Sequence, residues 1–183
     1  MHPTKAEDQA AADALRALPK EDLVRIILDD AKNWLAHDGL WFQAVESAHG
    51  MDAAIAADTA AWEKFTVIEA RRIMQRLGLA AGGGIPALLE CLQHRLYSRL
   101  NIQEISSVTA DRAVYVMRDC RVQAARKRKG LAAFPCKSVG MVEYSEFAKA
   151  VDPRIQTRCR RCPPDPPGDR SWCEWEFTLP TAE

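Results

Sequence analysis

An α+β fold is the class this sequence predicts: an N-terminal helical layer followed by a β-β-α-α-β-β domain with a small antiparallel sheet. Three observations carry that expectation. Before about residue 100, apolar side chains recur at helical spacing amid many alanines. After Asn101 the apolar period shortens to two, and two helix-length stretches then divide the strand-like segments into pairs. Residues 1–100 are read as a helical region, and 101–183 as a cysteine-rich α+β region packed with it as one globular unit.

The elements follow in order. Leu15, Leu18, Leu23, Ile26, Ile27 and Leu35 sit at roughly helical spacing, with Pro19 and the Glu21–Asp22 pair marking a helix start. Leu40, Val45, Ile55, Trp62 and Phe65 continue the pattern among alanines, the best helix formers. Thr66 and Glu69 have capping-box spacing, which predicts a fresh helix at Thr66 that stops at Gly78. Gly82–Gly84 reads as a tight turn, and Pro86 as the first turn of a helix reaching about Tyr97. Ile102–Val108 and residues 112–118 are predicted strands around a turn at Ala110–Asp111. Helices follow over Arg121–Lys129 and Lys137–Ala150, divided by Gly130 and Pro135. The last strands are Arg154–Cys159 and Trp172–Leu179, with Cys173, Trp175, Phe177 and Leu179 on one face of the latter. Between them the loop over 162–169 is stiffened by prolines.

At 183 residues and 48% hydrophobic, the chain can bury one sizeable core. It opens without the basic-then-apolar run of a signal peptide, and no stretch approaches the roughly 20 apolar residues that cross a bilayer, so no membrane association and a cytoplasmic setting are expected. Net charge is zero but unevenly spread: residues 1–70 carry 13 acidic and 6 basic side chains, and the remainder is correspondingly basic. Such a split implies that the two parts pack against each other, or that the basic part attracts an anion. Nucleic acid is not an expected partner, because aromatics do not interleave with the basic residues.

Five of the six cysteines (Cys120, Cys136, Cys159, Cys162 and Cys173) fall in the last third, which points to metal binding or thiol chemistry rather than disulfides. The Cys159-x-x-Cys162 pair is half a zinc signature, and Cys136 and Cys173 would supply the other half. Four thiolates also suit an iron–sulfur cluster, a less favoured cofactor than zinc. Cys136 precedes a helix, whose dipole favours thiolate, and Cys120 lies among Arg118, Arg121 and Arg126, which would do the same. Glu46-x-x-His49 has no second copy, so a di-iron site is not expected, but either residue could handle protons. His49, beside Gly50, also reads as a helix cap. Carboxylates at Glu46, Asp58 and Glu69 would need partners, for which Arg71, Arg72 or His94 are available. The glycine run could meet a phosphate but lacks the rest of a nucleotide loop. Trp34, Trp41 and Phe42 read as core or as the floor of an apolar pocket.

The series Cys120, Lys129-Gly130, Phe134-Pro135-Cys136, Gly140, Asp152-Pro153-Arg154-Ile155, Cys162-Pro163-Pro164-Asp165 and Trp172 through Phe177 resembles a family of uncharacterised cytosolic bacterial proteins. Leu40-Trp41-Phe42, Trp62-Glu63 and Glu69 through Ile73 extend the likeness from about Leu35. Over the back half the chain is also similar to the L-2-amino-thiazoline-4-carboxylic acid hydrolase family, through Cys120, Cys136 and Cys173-Glu174-Trp175. More distantly it resembles the 4-vinyl reductase small-molecule-binding domains, whose comparable cysteines can hold zinc; Cys136, Cys162 and Cys173 would correspond. Cys159, Arg160-Arg161 and the proline-rich loop depart from both.

Two functions follow as expectations. The first is a hydrolase-like protein for a small carboxylated nitrogen- or sulfur-containing ring or amide. In it Cys120 or Cys136 supplies a thiolate, Glu46 or His49 moves protons, and Arg121, Arg126 and Trp41 bind substrate. The second is a non-catalytic sensor or binding module in which Cys136, Cys159, Cys162 and Cys173 hold zinc or a cluster. A small molecule is the expected partner in both, and the chain could also pair as a homodimer.

Overall fold

The computed structural model describes residues 6–166, 168 and 171–180. Helix α1 (Ala6–Arg16) leads through Pro19 into the long α2 (Lys20–His49), with Glu21 and Asp22 in its first turn. Gly50, at φ +86°, reverses the chain into α3 (Met51–Leu77). Then come α4 (Gly84–Gln93), a short 3-10 turn (Leu96–Arg99), β1 (Ile102–Val108), β2 (Arg112–Asp119), α5 (Arg121–Arg128), α6 (Lys137–Val151), β3 (Gln156–Arg161) and β4 (Cys173–Thr178). The α+β class and the β-β-α-α-β-β order are therefore as the sequence predicts.

Strand β3 lies two residues later than the predicted Arg154–Cys159, since Arg154 turns back onto Asp152, and two helix boundaries differ. No helix begins at Thr66: α3 runs through it unbroken, and the buried Thr66 hydroxyl donates to the Glu143 carbonyl at 2.9 Å. Glu69, its supposed capping partner, holds Arg95 instead (2.9 Å), so tertiary partners took both side chains. The helix begun by Pro86 ends at Gln93 rather than near Tyr97, since Leu96 turns its amide to Glu69 Oε1 (3.0 Å) and the chain tightens to 3-10. Gly78 closes α3 in the left-handed region, as its position implies.

The sheet is antiparallel throughout, ordered β1-β2-β4-β3. Tyr115 and Met117 of β2, with Cys173, Trp175 and Phe177 of β4, face a core completed by Ile85, Leu88 and Leu92 of α4 and by Tyr144, Phe147 and Val151 of α6. On the other face of β4, Glu176 joins Arg112 and Arg158. Helix α6 lies between α3 and the sheet. A second cluster, Trp62, Phe134 and Val139 with Trp34, Phe42, Phe65 and Tyr97, joins α2 and α3 to the α5–α6 segment. No helix among the described residues is long and apolar enough to cross a membrane.

Candidate functional site

Between these two clusters lies a cavity of about 440 Å³. The second half of α2 lends Asp38 and Phe42 to its wall, α3 lends Asp58 and Trp62, and the 3-10 turn lends Tyr97. The opposite wall comes from α5, α6 and β4 with Val139, Glu143, Tyr144 and Trp175, and four cysteine side chains (Cys120, Cys136, Cys162 and Cys173) reach it. A volume of this size with mostly apolar walls and few polar groups suits a single-ring small molecule.

Close approach shapes the floor. Gly140 lies against the indole of Trp175, where a Cβ would come within 2.6 Å of Cζ2, so this turn of α6 needs glycine. Behind the wall Arg95, only 1% exposed, has its Nε 2.9 Å from Glu69 and its Nη1 2.7 Å from Glu143. The rings of Trp62, Tyr97, Tyr144 and Phe147 surround the guanidinium, with centroids 4.7–5.8 Å away. Burial works against its charge, but Glu69 and Glu143 hold it firmly protonated. Sequence reasoning missed Arg95, offering Arg71, Arg72 or His94 as the carboxylate partners; an arginine between two apolar helical runs was the available signal.

The sulfurs converge on Cys162. Its thiol is 3.5 Å from that of Cys136, and hydrogen bonds to Cys136, Cys159 and Cys173 push its pKa far up, keeping it protonated. Cys136 and Cys159 are lowered, each first by its hydrogen bond with Cys162; Gln123 assists at Cys136 and Lys137 at Cys159. The loop is anchored: Lys137 Nζ meets Asp165 at 2.8 Å, the Lys137 amide donates to the Pro163 carbonyl (2.9 Å), and the Cys162 amide donates to Asp165 (3.2 Å). Gln123 clamps Phe134 from both sides and touches Cys136. As donors the four fit zinc, whose tetrahedral ligands at about 2.3 Å stand about 3.8 Å apart. Among the described residues, however, no three such side chains already surround one point as a bound ion would require. All six cysteines are free thiols.

The remaining sequence-derived residues disperse. Cys120 lines the cavity at the start of α5, but burial pushes its thiol up to about 12, against the expectation that arginines make it a thiolate. Arg126 is buried and grips Glu46 through two contacts of 2.7 Å, tying α5 to α2, so each occupies the other. Of the basic run 126–129, Arg126 is therefore buried while Lys127, Arg128 and Lys129 are exposed. Arg121 lies on the cavity rim, its Nε donating to the Leu100 carbonyl (3.0 Å). Trp41 is 67% exposed and His49 is exposed in the last turn of α2; neither lines the cavity. The Gly84 amide is taken by Asp152 (3.0 Å), which occupies the position considered for phosphate.

No curated protein matches this chain. Among solved structures, the phenol-responsive sensory domain of the transcription activator PoxR, determined with phenol, is similar in fold. Its TM-score is 0.51 at 15% identity, over 77% of this chain and 72% of that one. A model for a family of unknown function, DUF6125, matches residues 16–179.

Proposed function

We propose, for a chain that belongs to the DUF6125 family of unknown function, the role of a small-molecule-binding module of the sensory type, taking a compact ring compound into the cavity between its helical layer and its sheet. The cavity carries this reading: it is roomy, walled by Phe42, Trp62, Tyr97, Tyr144 and Trp175, and built from both halves of the chain. The fold shared with a phenol-responsive sensory domain supports binding more than catalysis. The hydrolase reading has less support, since Cys120 is held protonated and Glu46 and Arg126 are engaged with each other. Titration with phenol and ring-substituted phenols, followed by the fluorescence of Trp62 and Trp175, should give saturable binding with Kd below about 1 mM (at least ~4 kcal/mol). Val139→Trp, which fills the cavity, should abolish it. Absence of binding across the series, or binding unaffected in a folded Val139→Trp, would sink the proposal.

A second reading concerns the sulfurs. Cys136, Cys159, Cys162 and Cys173 are proposed to hold one zinc ion, on the support of their gathering about Cys162 at 3.5 Å from Cys136. Such an ion would brace the 162–165 loop against α6 beside the cavity. Elemental analysis of protein purified without chelator should find about one zinc per chain, lost in Cys136→Ser. Metal-free protein that still folds and binds ligand would remove the ion from the account.

A further inference from the structure

Resting on the reading of the cavity as a ligand pocket, we infer that its ligand is an organic ammonium ion on a compact aromatic body. The charged nitrogen would sit between Asp38 and Asp58, and a hydrogen-bond acceptor on the ring would meet the indole N–H of Trp175.

Charge accounting along the wall leads there. Of the cavity-lining cations, Lys32 is engaged by Asp29 at 2.9 Å, Arg126 by Glu46, Lys129 by Gln43 at 2.9 Å and Arg121 by the Leu100 carbonyl. Arg128 is exposed at the rim. Glu143, the deepest acid, has Arg95. Asp38 of α2 and Asp58 of α3 remain: both line the cavity, and among the described residues neither is in an ion pair. These two carboxylates stand on facing helices in a space walled by Phe42, Trp62 and Tyr97 with no ion-pair partner among the described residues, while Arg121, Arg128 and Lys129 keep their charges elsewhere on the wall. Aromatic faces favour a cation there over an anion. The second observation is independent of the acids. Trp175, 0% exposed on the same wall, has an indole N–H with no acceptor, an arrangement costly to leave unmet.

The empty pocket's electrostatics agree. Asp58 is pushed up to about 7 by burial first, then by Asp38 and Glu143, against a hydrogen bond from Trp62; burial also raises Asp38, with His37 opposing. The groups acting on Asp58 are Asp38 from α2, Glu143 from α6 and Trp62 on its own helix, and His37 acts on Asp38; Lys32, Tyr97, Arg121, Arg126, Arg128 and Lys129 are the other titratable or charged side chains of α2, the 3-10 turn and α5 on the same cavity wall. An incoming ammonium favours the ionised carboxylate. Below pH 7 its binding must therefore expel a proton, and affinity should fall by up to about tenfold per pH unit on the acid side.

Tyramine, 4-ethylphenol and 4-hydroxyphenylacetate share a ring and hydroxyl but carry positive, zero and negative charge. Calorimetric titration of the full chain at pH 8 should find tyramine bound at least tenfold more tightly than the other two. Asp38→Asn and Asp58→Asn should each weaken tyramine tenfold or more and leave 4-ethylphenol unchanged, which also shows the variants folded. Trp175→Phe should weaken both. At pH 6.5, heats in phosphate and Tris should differ by the release of up to one proton per tyramine. If 4-ethylphenol or the anion matches or exceeds tyramine, or the Asn variants bind tyramine normally, the ammonium assignment fails while the pocket stands. If none of the three binds, the assignment fails, and the phenol series with Val139→Trp decides the pocket separately.

Discussion

Arg95 shows what a single buried charge demands of its surroundings: two carboxylates from α3 and α6 and four aromatic rings are spent on one guanidinium. Arg95→Met keeps the volume but strands Glu69 and Glu143, so urea denaturation should show a loss of about 3–5 kcal/mol. Asp58 behaves in the opposite sense. Its carboxyl holds a proton until about pH 7 in the folded protein, whereas the unfolded chain releases it near the ordinary 3.8. Between those values the folded state binds more protons, so stability falls as pH rises through that window. Asp58→Asn should therefore raise the melting temperature at pH 8, with the gain vanishing below about pH 4. A variant that is less stable than the parent at pH 8 would contradict this account.

At the scale of elements, α4 depends on a contact from the far end of α6. The Asp152 carboxylate, fully buried, accepts from the Gly84 amide at 3.0 Å and from Arg154 at 2.7 Å, and Arg154 lowers it to about 2. That contribution is complete above the unfolded value near 4 and disappears as pH falls toward 2. Asp152→Ala should cost about 1–3 kcal/mol at pH 7 by chemical denaturation, and the gap should close in acid. The elements themselves were largely legible: alternation marked both halves of each hairpin-like pair, and Gly130, Pro135 and Gly78 marked ends. What stayed hidden were boundaries decided by distant partners, such as Thr66 pointing at Glu143 and Leu96 at Glu69. The site was legible in part. Of the five cysteines clustered in sequence, Cys136, Cys159 and Cys173 gather about Cys162 while Cys120 stands apart at the start of α5, a division that spacing alone does not reveal. An apolar pocket floored by Trp34, Trp41 or Phe42 was among the readings and Phe42 does line the cavity, but Asp38, Asp58 and Val139 have no local pattern that distinguishes a wall from a core.

For the whole molecule, the cavity joins the acidic N-terminal helices to the basic C-terminal part, and Arg126–Glu46 is one tie across it. A bound ring would add contacts to both sides at once. Hydrogen exchange with saturating ligand should therefore slow over residues 35–43 and 58–62 together with 139–144, leaving β1 unchanged. Slowing confined to the sheet side would show that the helical layer takes no part.

Helix α2 extends the reach of that event. Its 30 residues span about 45 Å, yet Ala31 is its one fully buried side chain, and the cavity-lining stretch from Lys32 to Gln43 begins only past its first twelve residues. A stiff rod gripped near one end behaves as a lever arm. A tilt imposed at Asp38 by a bound ring would be magnified over the roughly 27 Å back to Lys20, and the displacement would be felt at Val24, Ile27 and Leu28, which stand exposed in its first turns.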